Sequence, residues 1–183
     1  MRIVSGTHKG RRIMAPKKLP VRPTTDMAKE ALFNILNNQY FFEDIKVLDL
    51  FAGTGNISYE FASRGSTEIK SVDNHSGCVK FIEGIATQLE FGIQAIKMDV
   101  FKYLEGTTDT FDIIFADPPY NLPLESFKKV HELVFNKGLL RPDGTLILEH
   151  SKQMDLSQLS HFISQRKYGS SLFSFFKNEE GSL

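Results

Sequence analysis

Five predicted strands alternate with amphipathic segments through most of this chain, and this alternation is the feature that most limits its fold. The strands lie at residues 45–51, 68–73, 92–97, 111–116 and 144–149, of which the first and the last two are mostly apolar, and helices are predicted at 56–64, 76–90 and 124–136. Strands that are apolar on both faces are expected where helices cover both sides of a parallel sheet. The pattern therefore predicts an α/β fold with a mostly parallel, doubly wound sheet.

The two ends of the chain are predicted to form antiparallel strand pairs. Near the C-terminus, strands at 162–168 and 171–177 flank a two-residue turn. Near the N-terminus, Arg2–Val4 and Arg12–Ala15 would form a small hairpin. With 183 residues and 41% hydrophobic composition, the chain is long enough for one α/β core and short for two.

We expect residues 1–22 to form a basic arm and residues 23–183 to form one domain. The first 25 residues contain seven basic residues and no acid, which leaves 15 basic and 22 acidic residues in the rest of the chain. A basic arm on an acidic body is typical of a protein that binds a polyanion, although a merely solvated terminus gives the same pattern. The basic residues are Arg2, Lys9, Arg11, Arg12, Lys17, Lys18 and Arg22.

A helix is predicted to follow the arm. Asp26 is a residue type that caps helices, and the apolar residues after it share one helical face. Asn37 and Asn38 end this pattern. The apolar residues are Ala28, Ala31, Leu32, Ile35 and Leu36.

Several functional classes are not expected from the composition. The single Cys78 excludes an internal disulfide and fits a small apolar side chain on a helix, and the five histidines have no spacing that resembles a zinc site. No apolar run approaches the length of a membrane span, and the N-terminus has no signal-peptide core. We therefore expect a cytoplasmic protein without a bound metal or a membrane anchor.

The first long strand runs directly into a glycine turn. Gly53 and Gly55 allow the backbone to turn sharply and to approach a ligand closely, and the helix after them offers free N–H groups. Asp73 ends the next strand twenty residues after Gly53, where a carboxylate can bind both hydroxyls of a ribose. This spacing predicts a cofactor of the adenosine type.

Two cofactor classes fit this ribose acid. A dinucleotide would need a third glycine where Ser58 stands, and Asp49 at the strand end would repel its pyrophosphate. Asp49 would instead attract the ammonium of an amino acid, so we predict S-adenosylmethionine. Asp99 could accept from the adenine amine while Val100 covers the ring, although Asp99 could equally cap the next helix. The candidate cofactor residues are Thr24, Asp49, Ala52, Gly53, Gly55, Asp73, Asp99 and Val100.

A stiff, acceptor-rich turn follows the fourth strand at Asp117–Tyr120. Residues before proline favour extended backbone, and neither proline in the turn has an N–H to donate. The Asp117 carboxylate and the Pro118 carbonyl could hold the hydrogens of a planar exocyclic amine, and Tyr120 could stack on the base. Placing the amine in line with a methyl donor would supply the rest of the rate. The predicted catalytic residues are Asp117, Pro118 and Tyr120.

These motifs together resemble the bacterial small-subunit ribosomal RNA guanine-N2 methyltransferases of the RsmD type. The matching segments are Arg22–Asp26, Lys29–Leu36, Val47–Gly55, Asp117–Tyr120 and Tyr168–Gly169. The resemblance implies a monomeric, Rossmann-like class I methyltransferase that modifies N2 of one guanine of 16S rRNA, the guanine numbered 966, in naked RNA or the small ribosomal subunit. The chain departs from the pattern of this family at Met27, where arginine is usual, and at Gly84, where asparagine is common.

Three other functions share part of the pattern. An adenine-N6 DNA methyltransferase also uses an Asp-Pro-Pro-Tyr turn, but such enzymes usually carry a target-recognition domain for which this chain has no room. A non-catalytic RNA-binding or assembly protein could keep the fold, although the intact turns argue against it. A dehydrogenase would leave Asp49 and the Asp117–Tyr120 turn unexplained.

Overall fold

A computed structural model describes residues 1–19 and 24–178, which form a seven-stranded sheet with helices on both faces. The strands are β1 (Lys46–Leu50), β2 (Glu68–Asp73), β3 (Ile93–Lys97), β4 (Phe111–Ala116), β5 (Leu140–Ser151), β6 (Phe162–Tyr168) and β7 (Ser171–Lys177). The helices are α1 (Asp26–Asn37), α2 (Asn56–Ser63), α3 (Ser76–Leu89), α4 (Val100–Gly106) and α5 (Leu124–Asn136), with a single 3₁₀ turn at Phe42–Asp44.

The strand order is β3-β2-β1-β4-β5-β7-β6, and β1 to β5 are parallel. Strand β7 runs antiparallel between β5 and β6. The strand order reverses at β1, because β2 lies on one side of it and β4 on the other. This is the Rossmann-like class I architecture with an antiparallel C-terminal pair, as the alternation of strands and helices predicts.

Successive residues of each central strand point to opposite faces of the sheet and pack against different helices. On β1, Leu48 and Leu50 pack in one buried cluster with α4 and α5, whereas Val47 packs in the other with α1 and α2. The same alternation places Phe115 and Ile147 on the α1 and α2 face. Side chains two positions apart on a strand point to the same face. The polar residues two positions after Val47, Phe115 and Ile147 therefore lie on the α1 and α2 face, at the carboxyl edge of the sheet.

The N-terminal arm packs tightly on helix α2. A bridge between Arg2 and Arg12 joins its two segments, as the hairpin prediction requires. Gly6 has a φ of +84°, and a Cβ there would lie 1.8 Å from the Ser63 carbonyl oxygen. The Glu60 carboxylate of α2 accepts two backbone N–H groups of the arm, at 2.9 and 3.0 Å. Only glycine permits this close approach of the arm to the domain.

A buried network links the arm, α1 and α2. Lys29 is 1% exposed and its Nζ lies 3.2 Å from the Glu60 carboxylate. The same Nζ donates to the Arg2 carbonyl at 2.6 Å and to Asn56 Oδ1 at 2.9 Å. Asn56 in turn donates its side-chain amide to the Thr24 carbonyl at 2.9 Å. The first residues of α1 and α2 are therefore fixed relative to the arm.

The main differences from the predicted elements are one helix cap, one strand start and one additional helix. Thr25, not Asp26, caps α1, because Thr25 has extended backbone and its hydroxyl accepts the Ala28 N–H at 3.3 Å. Strand β5 begins at Leu140 rather than at 144, since it continues through an irregular stretch in which Asp143 has a φ of +62°. Helix α4, absent from the predicted helices, follows β3.

Candidate functional site

A cavity of about 630 Å³ opens at the carboxyl edge of the sheet, where β1, β2, β3 and β4 end. In open α/β sheets, ligands bind at this edge and next to the strand at which the order reverses. The structure brings most of the predicted cofactor and base residues to this one cavity. They are Thr24, Asp49, Ala52, Gly53, Asp73, Asp99, Val100, Asp117, Pro118 and Tyr120.

The glycine turn bends sharply through left-handed backbone at both glycines. Gly53 has a φ of +54° and Gly55 a φ of +81°. A Cβ at Gly55 would lie 2.8 Å from the Tyr59 ring, so Gly55 shapes the turn from beneath rather than lining the cavity. Asp73 holds the turn, since its Oδ2 accepts the Gly53 N–H at 2.8 Å and its Oδ1 accepts the His75 N–H at 2.8 Å. Each oxygen keeps a second lone pair for a hydroxyl of a ligand.

Asp49 is buried at the end of β1, with only 2% of its surface exposed. Ser58 Oγ donates to its carboxylate and lies 2.7 Å from Ser71 Oγ, so Ser58 joins α2 to β1 and β2. A small side chain at this position allows close packing of helix on strand, which is the part a third glycine plays in dinucleotide folds. Burial raises the pKa of Asp49 to about 7, against the opposing effect of the Ser58 hydrogen bonds.

Asp99 caps helix α4, which is one of the two roles predicted for it. Its Oδ1 accepts the Lys102 N–H at 3.0 Å at the start of α4. Asp99 is also exposed and lines the cavity, so the capping role does not remove it from the site. Val100 is buried, with 3% of its surface exposed, and closes the cavity wall beside it.

The Asp117–Tyr120 turn leaves β4 and forms another wall of the cavity. Loss of solvent raises the pKa of Asp117 well above its ordinary value, and the charges of Glu149 and then of Asp49 raise it further. Tyr120 is 55% exposed at the cavity mouth. The turn thus combines a shielded carboxyl of high proton affinity with an accessible aromatic ring.

Glu149 is a buried acid beside this site that the sequence interpretation overlooked. It lies on β5, is 3% exposed, and accepts a 2.8 Å hydrogen bond from the Thr24 hydroxyl. Burial raises its pKa, while hydrogen bonds from Ser171 and Thr24 oppose the shift. A signal was present, because an acid stands at the end of the apolar run at 144–149, as Asp117 stands directly after the run at 111–116.

The basic residues of the arm that lie within residues 1–19 are exposed. Arg2 forms a 3.1 Å ion pair with Asp26, so part of its charge is neutralised within the chain. Arg22 lies outside the described residues. The remaining candidates for a polyanion surface are Lys9, Arg11, Arg12, Lys17 and Lys18.

Two further properties concern only residues 1–19 and 24–178. Within these ranges, no three or more His, Cys, Asp or Glu side chains are placed to hold a metal ion. No helix in the same part of the chain has both the length and the apolar character needed to span a membrane.

Cys78 is buried on α3, as expected of a small apolar side chain, and it also lines the cavity.

The sequence matches the family described as Conserved hypothetical protein 95 over residues 1–177. YlbH of Bacillus subtilis (strain 168), provisionally named an rRNA methyltransferase, is 31% identical over 163 residues, which are 86% of each chain. Ribosomal RNA small subunit methyltransferase D of Escherichia coli (strain K12) is 28% identical over 152 residues, covering 81% of this chain and 74% of that protein.

Solved structures share the fold. Hypothetical protein TTHA0928 of Thermus thermophilus has a TM-score of 0.84 at 24% identity, over 97% of this chain and 99% of that chain. The T. thermophilus 16S rRNA N2 G1207 methyltransferase RsmC, solved with AdoMet and guanosine, has a TM-score of 0.69 at 22% identity, over 88% of this chain and 45% of that chain. With the family match over nearly its whole length, the chain belongs to the RsmD-type family, described as Conserved hypothetical protein 95.

Proposed function

We propose that this protein transfers the methyl group of S-adenosylmethionine to N2 of a guanine in 16S ribosomal RNA, with guanine 966 as the target. The observation that carries the proposal is the shared cavity: the glycine turn with Asp73 and the Asp117–Tyr120 turn form its two walls. A methyl donor and a base amine bound on these walls would meet inside it. The family membership and the rRNA methyltransferase names of relatives support an rRNA substrate.

The donor set of the first wall fits S-adenosylmethionine. Asp73 can accept from the ribose hydroxyls, and Asp99 can accept from the adenine amine beside Val100. Asp49 offers a buried carboxyl with a pKa of about 7, which an ammonium group would draw into its charged form. When bound, the cofactor supplies an electrophilic methyl group on a sulfonium. The cavity volume of about 630 Å³ accommodates a ligand of this size together with part of a base.

The second wall fits a purine amine. The N2 lone pair of guanine is delocalised into the ring, so the amine is a weak nucleophile until acceptors hold its hydrogens out of plane. The Asp117 carboxylate and the Pro118 carbonyl are such acceptors, while Tyr120 would stack on the base. Attack by the nitrogen on the methyl group would form the N–C bond and leave the electron pair of the C–S bond on sulfur. Asp117 would then take the N2 proton, for which a carboxyl of raised pKa has a high affinity.

The exposed basic arm would hold the RNA backbone. Phosphate contacts by lysine and arginine position a protein on RNA without reading its sequence. The arm is fixed to α2 through Glu60 and to α1 through Lys29, so RNA bound there would have a defined orientation relative to the cavity. Selection of one guanine then depends on the base reaching the Asp117–Tyr120 turn.

Methyl transfer from tritiated S-adenosylmethionine tests the proposal. The substrates are small ribosomal subunits that lack the modification and naked 16S rRNA, followed by nucleoside analysis of the product. We expect N2-methylguanosine from wild-type protein and roughly hundredfold or more slower transfer by Asp117→Ala. The matched control is Glu125→Ala, an exposed α5 acid whose loss should leave the rate unchanged. Methylated adenine in added duplex DNA, with none in RNA, would point to the adenine-N6 DNA methyltransferase, and cofactor binding without transfer to the non-catalytic alternative.

Cofactor binding can be tested without RNA. Asp73→Ala removes the acceptor for the ribose hydroxyls and should weaken S-adenosylmethionine binding by about 2 to 4 kcal/mol, measured by calorimetry. Asp117→Ala should bind the cofactor nearly as well as wild type. Unchanged affinity in folded Asp73→Ala protein would remove Asp73 from the site.

A further inference from the structure

We propose that Glu149 is a positioning residue for Asp117, holding a negative charge behind the acceptor carboxylate so that Asp117 binds the proton released from the base more strongly. The inference rests on the proposed methyl transfer and deepens it. Glu149 is not expected to touch the base or the cofactor, since the cavity lining includes Thr24 and Asp117 but not Glu149. Its effect would pass through these two residues.

The sheet register brings the two carboxyls together. Strands β4 and β5 are parallel, with Phe115 opposite Ile147 and Ala116 opposite Leu148. The next residues along the two strands are Asp117 and Glu149, at the edge where the cavity opens. Neighbouring strands lie about 4.8 Å apart, so carboxyls at the same level on the same face are close neighbours.

Burial raises the pKa of Glu149, and two hydrogen bonds hold its carboxylate in place and oppose that rise. The Thr24 hydroxyl donates to Oε2 at 2.8 Å from the residue before the cap of α1, and the Ser171 hydroxyl donates from β7. A glutamate that is only 3% exposed has lost most of its water, so these two hydroxyls replace that solvation. The carboxylate therefore has a defined position between β4 and β7.

The surroundings of Asp117 concentrate negative charge. Asp49 on β1 and Glu149 on β5 are the acids that act on it, and both raise its pKa after the larger effect of lost solvent. On α1, the cation of Lys29 is engaged by Glu60 at 3.2 Å. On α2, Ser58 donates to Asp49, and on β7 Ser171 is neutral. Three carboxyls on adjacent strands cannot all be charged without a strong mutual cost, so the group retains a proton to higher pH than isolated acids would.

The consequence for the reaction concerns the proton that leaves N2. A carboxylate beside a second fixed charge binds the proton released from N2 more tightly than an isolated carboxylate does. Glu149→Gln removes that charge and keeps an oxygen for the Thr24 hydroxyl. Asp117 should then ionise at lower pH, because a like charge no longer opposes its charged form.

The experiment compares wild type with Glu149→Gln by two measurements. The first is carboxyl ¹³C NMR titration of the protein alone, with the Asp117 signal assigned by its loss in Asp117→Asn. The second is the pH profile of the single-turnover methylation rate. We expect both the Asp117 midpoint and the acid limb of the rate to move down by on the order of one pH unit. The rate at high pH should fall roughly three- to tenfold, because the acceptor is weaker.

Two further variants separate this effect from simple damage to the fold. Ser171→Ala removes one hydrogen bond to Glu149 and should move both measurements in the same direction by a smaller amount. Asp112→Asn changes an acid on β4 that instead accepts from the Lys46 N–H and Arg141, and it should move neither.

The outcomes distinguish the inference from the proposed function. An unmoved Asp117 titration in Glu149→Gln would overturn the inference, whatever the activity. A shifted Asp117 titration midpoint with an unchanged pH profile of the methylation rate would also overturn the inference, because the charge of Glu149 would then have no effect on the reaction. Wild-type protein that transfers no methyl group to RNA would refute the proposed function, and the NMR titration would still decide whether Glu149 controls Asp117.

Discussion

Replacing Asp49 with asparagine should change how the stability of the unliganded protein depends on pH. Asp49 is 2% exposed, and its pKa is raised by burial from 3.8 to about 7. A group whose folded pKa is raised binds its proton more tightly in the folded state, so folding weakens as pH rises from the unfolded value to the folded one. Asparagine keeps an oxygen for the Ser58 hydroxyl and has no charge to bury.

The magnitude follows from these two pKa values. Between pH 5 and pH 8, a group titrating at about 7 in the folded state and at 3.8 in the unfolded state lowers the free energy of unfolding by about 2.5 kcal/mol. Asp49→Asn should lose this decline. The charge of Asp49 also raises the pKa of Asp117, so its removal reduces the Asp117 contribution in the same direction.

Urea unfolding at pH 5 and pH 8, followed by circular dichroism, measures the difference. Between pH 5 and pH 8, the free energy of unfolding should fall by about 2.5 kcal/mol more in wild type than in Asp49→Asn. Asp155→Asn is the control, because the pKa of Asp155 is lowered by Ser157 and its titration lies below the interval. Equal losses in wild type and Asp49→Asn would refute the argument that burial keeps Asp49 protonated near neutral pH.

Three other predictions concern the arm and the cavity mouth. Lys29→Met takes one of two cations from the buried Glu60 carboxylate, which Arg64 also contacts at 2.9 Å, and should cost about 1 to 3 kcal/mol in urea unfolding. Lys128→Met at an exposed pair should cost under about 0.5 kcal/mol. Tyr120→Ala should raise the KM for RNA roughly tenfold and Tyr120→Phe much less, in steady-state methylation assays, since stacking survives in phenylalanine. Replacing three exposed arm residues with serine should reduce the slope of log RNA affinity against log salt concentration by about 0.7 per lost phosphate contact. Cofactor affinity should be unchanged. Equal slopes for wild type and the triple variant would identify the arm as a solvated terminus. The three residues are Lys9, Arg11 and Arg12.

Periodicity was sufficient to predict most of the fold. The helices at 76–90 and 124–136 and the strands at 68–73, 92–97 and 111–116 agree with the structure to within a residue or so, because their apolar positions match one repeat only. The errors lie where two local preferences compete. Thr25 and Asp26 are both capping residues, and the ion pair of Asp26 with Arg2 is a tertiary contact that no local pattern contains.

The candidate site was also only partly predictable from the sequence. Turns with special backbone, such as Gly53 and Asp117–Tyr120, are visible in sequence because the residue types themselves are constrained. Glu149 was overlooked because its significance depends on strand order: β5 is next to β4 in space, with α5 between them in sequence. The residue type of Lys29 favours a helix surface, and only the packed arm makes it a buried cation.

The buried Lys29 network also limits how the protein can be dissected. Removing the arm would take away the Arg2 carbonyl that accepts from Lys29 and the backbone N–H groups that satisfy Glu60. The same network reaches Asn56, at the start of the helix that follows the glycine turn. A shortened protein would therefore lose stability at the cofactor wall together with any contact to RNA. Loss of activity on truncation could not be assigned to RNA binding, and single charge changes on the exposed side of the arm are the way to separate the two roles.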